Sequence, residues 1–328
     1  MLKDEILKIL LEQEGFLSGQ EISAALRVSR TAVWKGVAAL RKEGYEILAV
    51  NHRGYFLENK EKFLSAEQIQ KALEEQGLFF DVIYERQVDS TNRLAKSLAE
   101  ERLPGDFVFL AAADTQTKGR GRRGRDWSSP AGESISMSLC FRPKISPELA
   151  PCLTLLAALA MGEAIEEAYS IPIGIKWPND LVLHGKKICG ILTEMSADLD
   201  GIRYVVCGLG VNVNTVEFPE ELSQTATSLF LETGKRVARS QIIGAACKKF
   251  FDYYALLSRE KSFLPLQEPY EKRLLNAGKR VRVLALQGEY EALCLGIDPQ
   301  GALLVEREGE ILRVISGEVS IRGIYGYA

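Results

Sequence analysis

The chain has 328 residues, of which 46% are hydrophobic and 26% are charged, and its formal net charge at pH 7 is −3. This length predicts two or three domains, and this composition is typical of a soluble globular protein. Because the overall charge is negative, the chain does not bind nucleic acid through its charge as a whole, and any DNA contact must come from a local patch.

Cysteine and histidine usage narrows the compartment and the chemistry. None of the six cysteines forms a CxxC pair, which favours buried thiols in a reducing compartment. The two histidines, His52 and His184, lie in turn-like segments, so we expect neither a histidine base nor a metal ion in a cage of protein ligands. We find no signal peptide and no window near the roughly 18 apolar residues that span a membrane, and we expect a cytoplasmic protein without membrane contact.

Residues 1–64 predict a winged helix-turn-helix DNA-binding domain. A helix is expected at about 2–13, the capping box Ser18–Glu21 opens a second helix, and Ser29 is placed to cap a third. Alternating runs at 45–50 and 55–57 predict two strands around a turn.

Basic residues concentrate in this predicted domain. Between positions 27 and 53 there are six basic and two acidic residues, a net charge of +4, which suits contact with phosphates. A solvated amphipathic helix pair is the alternative. Trp34 fits either the core or a position near DNA, and we favour the core slightly. The candidate DNA contacts are Ser29, Arg30, Thr31, Trp34, Lys35 and Arg53.

Residues 65–277 predict one α+β domain, a mixed sheet with helices on a face, because strands and helices follow one another without strict alternation. A capping box at 65–68 opens it. The predicted strands are 81–88, 107–114, 134–142, 171–177, 181–183, 187–195 and 204–214, and the main later helices are 149–169 and 240–258.

Residues 278–328 predict a small β-barrel. Short alternating strands separated by glycine-containing turns follow one another within about 50 residues.

The segment 118–125 holds five cations and three glycines in eight residues. We expect such a loop not to pack on its own but to fold over an anion, where guanidinium groups can meet phosphate oxygens in pairs. A solvated basic loop and a nucleic-acid patch are the alternatives. The Walker A spacing is absent.

Two further segments place polar groups beside predicted strands. The run 176–180, KWPND, offers a lysine, an amide and a carboxylate at a turn. Lys187 enters an apolar strand, where a bound carboxylate or phosphate would serve as its partner; a lysine reaching out at the sheet edge is the alternative. In GLGVNVN, residues 208–214, the glycines leave room for a flat ring, whose edge Asn212 could contact.

Taken together, these segments resemble the biotin–protein ligase family in its bifunctional form, which includes the biotin operon repressor. The resemblance covers nearly the whole chain, and GRGRRGR followed about 50 residues later by KWPND is specific to it. The matching segments are Ser90-Thr91-Asn92, Gln116, GRGRRGRDW (119–127), KWPND (176–180), KICGIL (187–192), GLGVNVN (208–214), SRTAVWKGVAALRKEGY (29–45) and RGYFL (53–57).

The resemblance implies a fold, a reaction and site residues. It implies a central domain of the class II biotin/lipoyl synthetase-like type and a C-terminal SH3-like barrel. The implied reaction joins biotin to ATP as biotinyl-5'-AMP, with Mg²⁺ near Asp180, and then transfers biotin to a carrier-protein lysine. The implied catalytic residues are Lys187, Arg122 and Asp180; the biotin-binding residues are Ser90, Thr91, Asn92, Gln116, Gly119, Arg120, Arg122 and Lys187; the ATP-binding residues are Arg122, Arg123, Arg125, Trp127, Lys176, Asn179, Asp180 and Asn212.

The resemblance also implies regulation. Biotinyl-5'-AMP is expected to act as corepressor and to promote a homodimer that binds operator DNA, while a biotin carboxyl carrier protein is the second partner. Three alternatives stay open: a lipoate or octanoate ligase, a biotin-binding sensor without ligase activity, and a ligase whose winged helix no longer binds DNA.

Overall fold

The chain separates into two compact units, Met1–Ser65 and Ala66–Ala328. The computed structural model describes residues 2–42, 45–58, 64–285, 288–315 and 320–323. The predicted division of the second unit at residue 277 stays a prediction.

The first unit is a helix-turn-helix followed by a hairpin. Its elements are α1 (Leu2–Glu12), α2 (Gly19–Leu26), α3 (Arg30–Lys42) and the antiparallel strands β1 (Ile47–Val50) and β2 (Gly54–Leu57).

The predicted capping box at the start of α2 is confirmed. The Ser18 hydroxyl accepts a hydrogen bond from the Glu21 backbone N–H at 3.1 Å, and the Ser18 N–H donates to the Glu21 carboxylate at 2.8 Å. These two bonds satisfy donors that the first turn of a helix leaves unpaired.

The slight preference for Trp34 in the core is wrong, because its side chain is 61% exposed on α3. The core positions of this helix are Val33, Val37 and Leu40, which recur at helical spacing. Trp34 follows Val33 by one residue, a rotation of about 100° around the helix axis, and therefore points away from the core.

The second unit is built on a seven-stranded mixed sheet with the order β3-β4-β5-β9-β8-β7-β6. Strands β3 and β4 are parallel, and the other neighbouring pairs are antiparallel. The strands are β3 (Asp81–Val88), β4 (Val108–Gln116), β5 (Ser134–Phe141), β6 (Gly174–Lys176), β7 (Asp180–Leu183), β8 (Lys186–Asp198) and β9 (Gly201–Asn212).

Helices cover both faces of this sheet, where the sequence predicted helices on one face. Every residue of β5 is buried, as expected for a central strand with both faces covered. Cys140 packs with Ala95 and Ala99 of the helix Thr91–Arg102, whereas Met137 and Leu139 face a small apolar void beside the helices Cys152–Tyr169 and Arg239–Glu260. The helices of this unit are α4 (Ala66–Glu75), α5 (Thr91–Arg102), α6 (Cys152–Tyr169), α7 (Glu220–Ser223), α8 (Leu229–Thr233), α9 (Arg239–Glu260) and α10 (Leu264–Glu271).

The expectation that no segment could span a membrane needs correction. The helical stretch Pro147–Tyr169 is long and apolar enough to do so, but 83% of its most apolar window is buried inside the protein. It is therefore a core helix, and its side chains are apolar because the sheet, α9 and α10 surround α6.

The last strands form a five-stranded antiparallel sheet with the order β13-β12-β11-β10-β14, and closure into a barrel stays a prediction. Part of the predicted strand 280–286 lies outside the described residues, which end at 285 there. The strands are β10 (Arg280–Ala285), β11 (Gly288–Ile297), β12 (Leu303–Arg307), β13 (Glu310–Val314) and β14 (Ser320–Gly323).

Candidate active site

The parallel pair β3 and β4 places one group of polar side chains at the same sheet edge. Val88 and Gln116 are register partners at the carboxyl ends of these strands, so the start of α5 lies beside Gln116. The Gln116 side-chain oxygen accepts from the Thr91 N–H at 2.9 Å and from the Thr91 hydroxyl at 3.2 Å. Its amide nitrogen donates to the Ser129 hydroxyl at 3.2 Å. Ser90, 5% exposed, occupies the N-cap position without a side-chain capping bond.

Asn92 is held on three sides. Its oxygen accepts from the Ser138 hydroxyl at 2.6 Å, and its nitrogen donates to the Leu192 carbonyl at 3.2 Å and to Glu194 at 2.7 Å. A Cβ on Gly208 would lie 2.1 Å from the Asn92 oxygen, so this amide fits only where β9 has a glycine. Glu194 was not among the predicted site residues.

The basic loop is closed by its own backbone, contrary to the expectation that it could not pack alone. Gly121 N–H donates to the Arg125 carbonyl at 2.7 Å, and Trp127 N–H donates to the Gly119 carbonyl at 3.0 Å. Positive φ angles at Arg123 and Gly124 form the turn between them. The loop folds because its peptide groups pair with each other, while Arg123 and Arg125 stay exposed and avoid the cost of desolvation.

Arg122 is the partly buried cation of this loop. Its guanidinium donates to the Asn179 side-chain oxygen at 3.1 Å. Burial lowers the pKa of Arg122; the Asp180 carboxylate opposes this shift, and Arg123 and Arg125 add to it. Several positive groups therefore lie close together in a partly desolvated place, an arrangement that favours a bound anion.

Trp127 lies over two glycines at the centre of the site. Gly190 on β8 and Gly210 on β9 are register partners, and a Cβ on Gly210 would come within 2.4 Å of the indole ring. The Lys187 ammonium is 5.5 Å from the centre of this ring. Within the part of the chain that the structure describes, the buried indole N–H has no hydrogen-bond acceptor.

The KWPND turn supplies the partner of Lys187. The Lys187 ammonium forms an ion pair with Asp180 at 2.6 Å, and the two side chains are 24% and 14% exposed. The sequence predicted a bound carboxylate or phosphate as the partner of Lys187; the structure places the Asp180 carboxylate of the chain itself beside it. Asn179 donates to the Ile191 carbonyl at 3.0 Å. Lys176 is buried on β6 and lines neither cavity described below.

Two adjoining cavities meet at these residues. The larger, about 270 Å³, lies between the basic loop, the KWPND turn and the segment 215–226, and the smaller, about 50 Å³, lies over α5 and the glycines of β8 and β9. The two cavities share five of their lining residues: Gly121, Arg122, Trp127, Asn179 and Lys187. Arg120 lines the smaller cavity, while Arg123, Arg125, Asp180 and Asn212 line the larger.

Sequence reasoning missed the far wall of the larger cavity. Thr215, Phe218 and Leu222 belong to a segment that carried no recognised motif. The signal that could have found this wall is the presence of Phe218 and Leu222 near Pro219 in a connecting segment that is otherwise largely polar. The segment is held in place where the Asn212 amide donates to the Thr227 carbonyl at 3.1 Å.

In the first unit, the candidate DNA contacts lie on α3, at its N-cap and in the turn between β1 and β2. The Ser29 hydroxyl caps α3 by accepting from the Ala32 N–H at 3.2 Å. Arg53 lies in the turn between β1 and β2, where its guanidinium is 4.4 Å from the centre of the Phe16 ring. All six candidates are exposed: Ser29, Arg30, Thr31, Trp34, Lys35 and Arg53.

Comparisons with known proteins agree with this arrangement. Residues 3–56 match an HTH domain family, 84–212 the Biotin/lipoate A/B protein ligase family, and 277–322 the Biotin protein ligase C terminal domain. A biotin protein ligase from Aquifex aeolicus in complex with biotin and ATP aligns with a TM-score of 0.66 and 33% identity, covering 75% of this chain and 100% of its own.

Full-length relatives are found in two Bacillus species. The proteins named bifunctional ligase/repressor BirA in Bacillus spizizenii and Bacillus subtilis are each 41% identical over 320 residues, which cover 95% of this chain and 96% of theirs. Because the match runs through both compact units, the chain belongs to the BirA family of bifunctional ligase/repressors.

Proposed function

We propose that this chain is a biotin–protein ligase that is also a biotin-responsive repressor. The ligase proposal rests on two adjoining cavities, a small one over the start of α5 and a larger one beside a cluster of arginines, with Lys187 and Arg122 lining both. Such a site holds an uncharged ring at one end, a nucleotide at the other, and their reacting groups between two cations.

Biotin occupies the smaller cavity in this proposal. Ser90, Thr91, Asn92, Gln116 and Arg120 line it and offer donors and acceptors that suit a cyclic urea. The cavity is small, about 50 Å³, and Trp127 lines it together with Gly190 and Gly210. Gly119 acts through Trp127, because its carbonyl accepts from the Trp127 N–H at 3.0 Å and a Cβ there would lie 2.4 Å from the Trp127 carbonyl.

ATP occupies the larger cavity. Arg122, Arg123 and Arg125 bind its phosphates, and Asn179 and Asn212 help to hold the nucleotide. Trp127 and Phe218 offer apolar surface to the adenine ring. The remaining predicted residue, Lys176, acts from behind the cavity through its place beside Asp180 in the β6–β7 register.

The residues fit Mg²⁺ that arrives with ATP. Within the described ranges, no group of three His, Cys, Asp or Glu side chains is arranged to hold a metal ion. Mg²⁺ is commonly held by one or two carboxylates together with substrate phosphates, and Asp180 is a carboxylate in the cavity. When bound, it would neutralise phosphate charge.

The chemistry uses nucleophiles from the substrates. The biotin carboxylate attacks the α-phosphorus of ATP, a new P–O bond forms, and pyrophosphate leaves. Lys187 and Arg122 neutralise charge that develops on the phosphoryl oxygens. A lysine amine of a biotin carboxyl carrier protein then attacks the biotinyl carbonyl and AMP leaves. Asp180 either takes the proton of that amine or orders Mg²⁺.

The repressor half of the proposal rests on the local positive charge of the first unit and on its exposed candidate contacts. A net charge of +4 between residues 27 and 53 suits phosphate contact, and α3 carries the exposed side chains that could read bases. Biotinyl-5'-AMP acts as corepressor by favouring a homodimer that matches a two-fold operator.

The ligase acts in the cytoplasm, where its six cysteines stay reduced. The chain forms three domains, 1–64, 65–277 and 278–328.

Pyrophosphate release from ATP tests the ligase. We expect release that depends on biotin and is abolished in Lys187→Ala. In Arg122→Gly, the release is weakened or the adenylate leaks from the site. The exposed Lys144→Ala is the control, because this residue pairs with exposed Asp106 outside both cavities. No release with biotin, or equal release with lipoate or octanoate, would contradict the proposal.

Operator binding tests the repressor. DNA from upstream of biotin synthesis genes should bind more tightly when biotin and ATP are added together. An affinity that stays unchanged with both ligands would leave a ligase whose first unit does not respond to biotin.

A further inference from the structure

Trp177 is one of the largest fully buried side chains, with 1% of its surface exposed, yet it lines neither cavity. Its hydrogen bonds lead away from the site. The backbone N–H donates to the Asn276 side-chain oxygen at 3.2 Å, and the indole N–H donates to the Gly301 carbonyl at 3.2 Å. Both acceptors belong to the chain that leads into or forms the C-terminal sheet.

The turn 298–302, between β11 and β12, is held by one buried carboxylate. Asp298 accepts from the backbone N–H groups of Gln300 and Ala302, each at 2.9 Å, and its second oxygen pairs with Arg313 at 2.6 Å. The Gly301 N–H donates to the Asp298 carbonyl at 2.9 Å. This set of bonds fixes the direction in which the Gly301 carbonyl points.

The same turn is anchored to the body of the unit. The Cys152 thiol donates to the Gln300 carbonyl at 3.2 Å, and Phe263 N–H donates to the Pro299 carbonyl at 2.7 Å. Gly301 has a φ of +78°, and a Cβ there would come within 3.0 Å of Leu155. The turn therefore packs closely against α6, and this packing holds the Gly301 carbonyl beside Trp177.

In sequence, Trp177 is followed closely by the two residues that contact the cations of the site. Pro178, with a fixed φ, separates it from Asn179. Asn179 accepts from Arg122 at 3.1 Å, and the next residue, Asp180, pairs with Lys187 at 2.6 Å. A shift of the Trp177 backbone would move the contacts of both cations.

From this geometry we propose that Trp177 is a positioning residue for the ATP half of the site, held by the turn 298–302 of the C-terminal sheet. The inference rests on the proposed function. We expect a selective effect on ATP, because Asp180 lines only the larger cavity. The polar side chains of the biotin end, Thr91, Asn92 and Gln116, are held by hydrogen bonds with Ser129, Ser138 and Glu194 and not by Trp177.

The test measures biotin-dependent pyrophosphate release by the full chain, with rates divided by the folded fraction. Trp177→Phe removes the indole donor, and Asp298→Ala removes the acceptor that shapes the turn. For both we expect kcat/KM for ATP to fall at least about ten-fold, because small misplacements of reacting groups are costly, while KM for biotin stays within about two-fold.

Two further variants make the result specific. Asp298→Asn keeps an acceptor for the two turn N–H groups and should retain more activity than Asp298→Ala. Arg282→Met, which removes an exposed ion pair with Glu291 in the same sheet, should match the wild type. If Trp177→Phe fails to fold, the comparison between the two Asp298 variants decides.

The outcomes separate this inference from the proposed function. A wild-type chain that releases no pyrophosphate with biotin removes the proposed function itself. An active wild type whose folded Asp298→Ala and Trp177→Phe variants lose no more than Arg282→Met overturns the inference. Equal losses in the ATP and biotin constants overturn it as well, since they would indicate general loss of structure.

Discussion

The ion pair between Lys187 and Asp180 makes a prediction about stability that is separate from activity. Coulomb's law at their 2.6 Å separation, with an effective dielectric constant of about 20, corresponds to a gross attraction of about 6 kcal/mol. Desolvation of two groups that are 24% and 14% exposed cancels most of this attraction. We therefore expect a net coupling free energy of about 1–3 kcal/mol between the two side chains.

A double-mutant cycle measures this coupling. The variants are Lys187→Met, Asp180→Asn and the two combined, which remove charge with little change of shape. Urea unfolding of the full chain without ligands, followed by tryptophan fluorescence, reports the second unit through Trp127 and Trp177, while exposed Trp34 changes little. Lys187→Met should destabilise most, because it removes the ammonium that lies 2.6 Å from the largely buried Asp180 carboxylate.

Activity should behave differently from stability in the same four proteins. The combined variant should recover part of the free energy of unfolding that Lys187→Met loses, but it should release no pyrophosphate, because nothing replaces the ammonium at the phosphate. Independent sites usually show a coupling free energy within about 0.5 kcal/mol of zero. A value in that range would refute the reasoning that Asp180 is the main partner of Lys187.

Three further changes have defined outcomes. Gly208→Ala should displace the Asn92 amide and raise KM for biotin about ten-fold or more, as expected for lost buried hydrogen bonds. The control Gly105→Ala should leave KM for biotin unchanged. Equal KM values for biotin in the two variants would contradict the role of the close contact between Gly208 and Asn92. Ser18→Ala should lower the free energy of unfolding of the first unit by about 1 kcal/mol without changing pyrophosphate release, and an unchanged unfolding curve would speak against the capping box. Burial raises the pKa of the Cys247 thiol to about 12, and all six cysteines are buried, so a thiol reagent at pH 8 should label the native chain slowly and the urea-unfolded chain at six sites. Rapid labelling of the native chain would show that the core opens.

The sequence alone was sufficient for features that depend on neighbouring residues. The capping box at Ser18, the strand at 81–88 and the helical spacing of Val33, Val37 and Leu40 are local patterns, and each formed as predicted. The order of the motifs also identified the family, because GRGRRGR and KWPND combine unusual composition with fixed spacing.

Tertiary structure decided what depends on residues far apart in the chain. The position of Trp127 follows from Gly190 and Gly210, which share a register only because β8 and β9 pair. The wall at Phe218 belongs to the larger cavity because its segment is tied back to the sheet.

The same distinction explains the apolar helix and the lysine. Whether the stretch 147–169 spans a membrane or fills a core depends on which surfaces surround it, and composition is the same in both cases. Whether Lys187 faces solvent, a ligand or Asp180 depends on the register of β7 against β8, where a bulge shifts the pairing beside Leu181. Periodicity and capping are short-range properties of the chain. The partner of a buried charge depends on which strands lie side by side, and the sequence pattern does not reveal the order of the strands in the sheet.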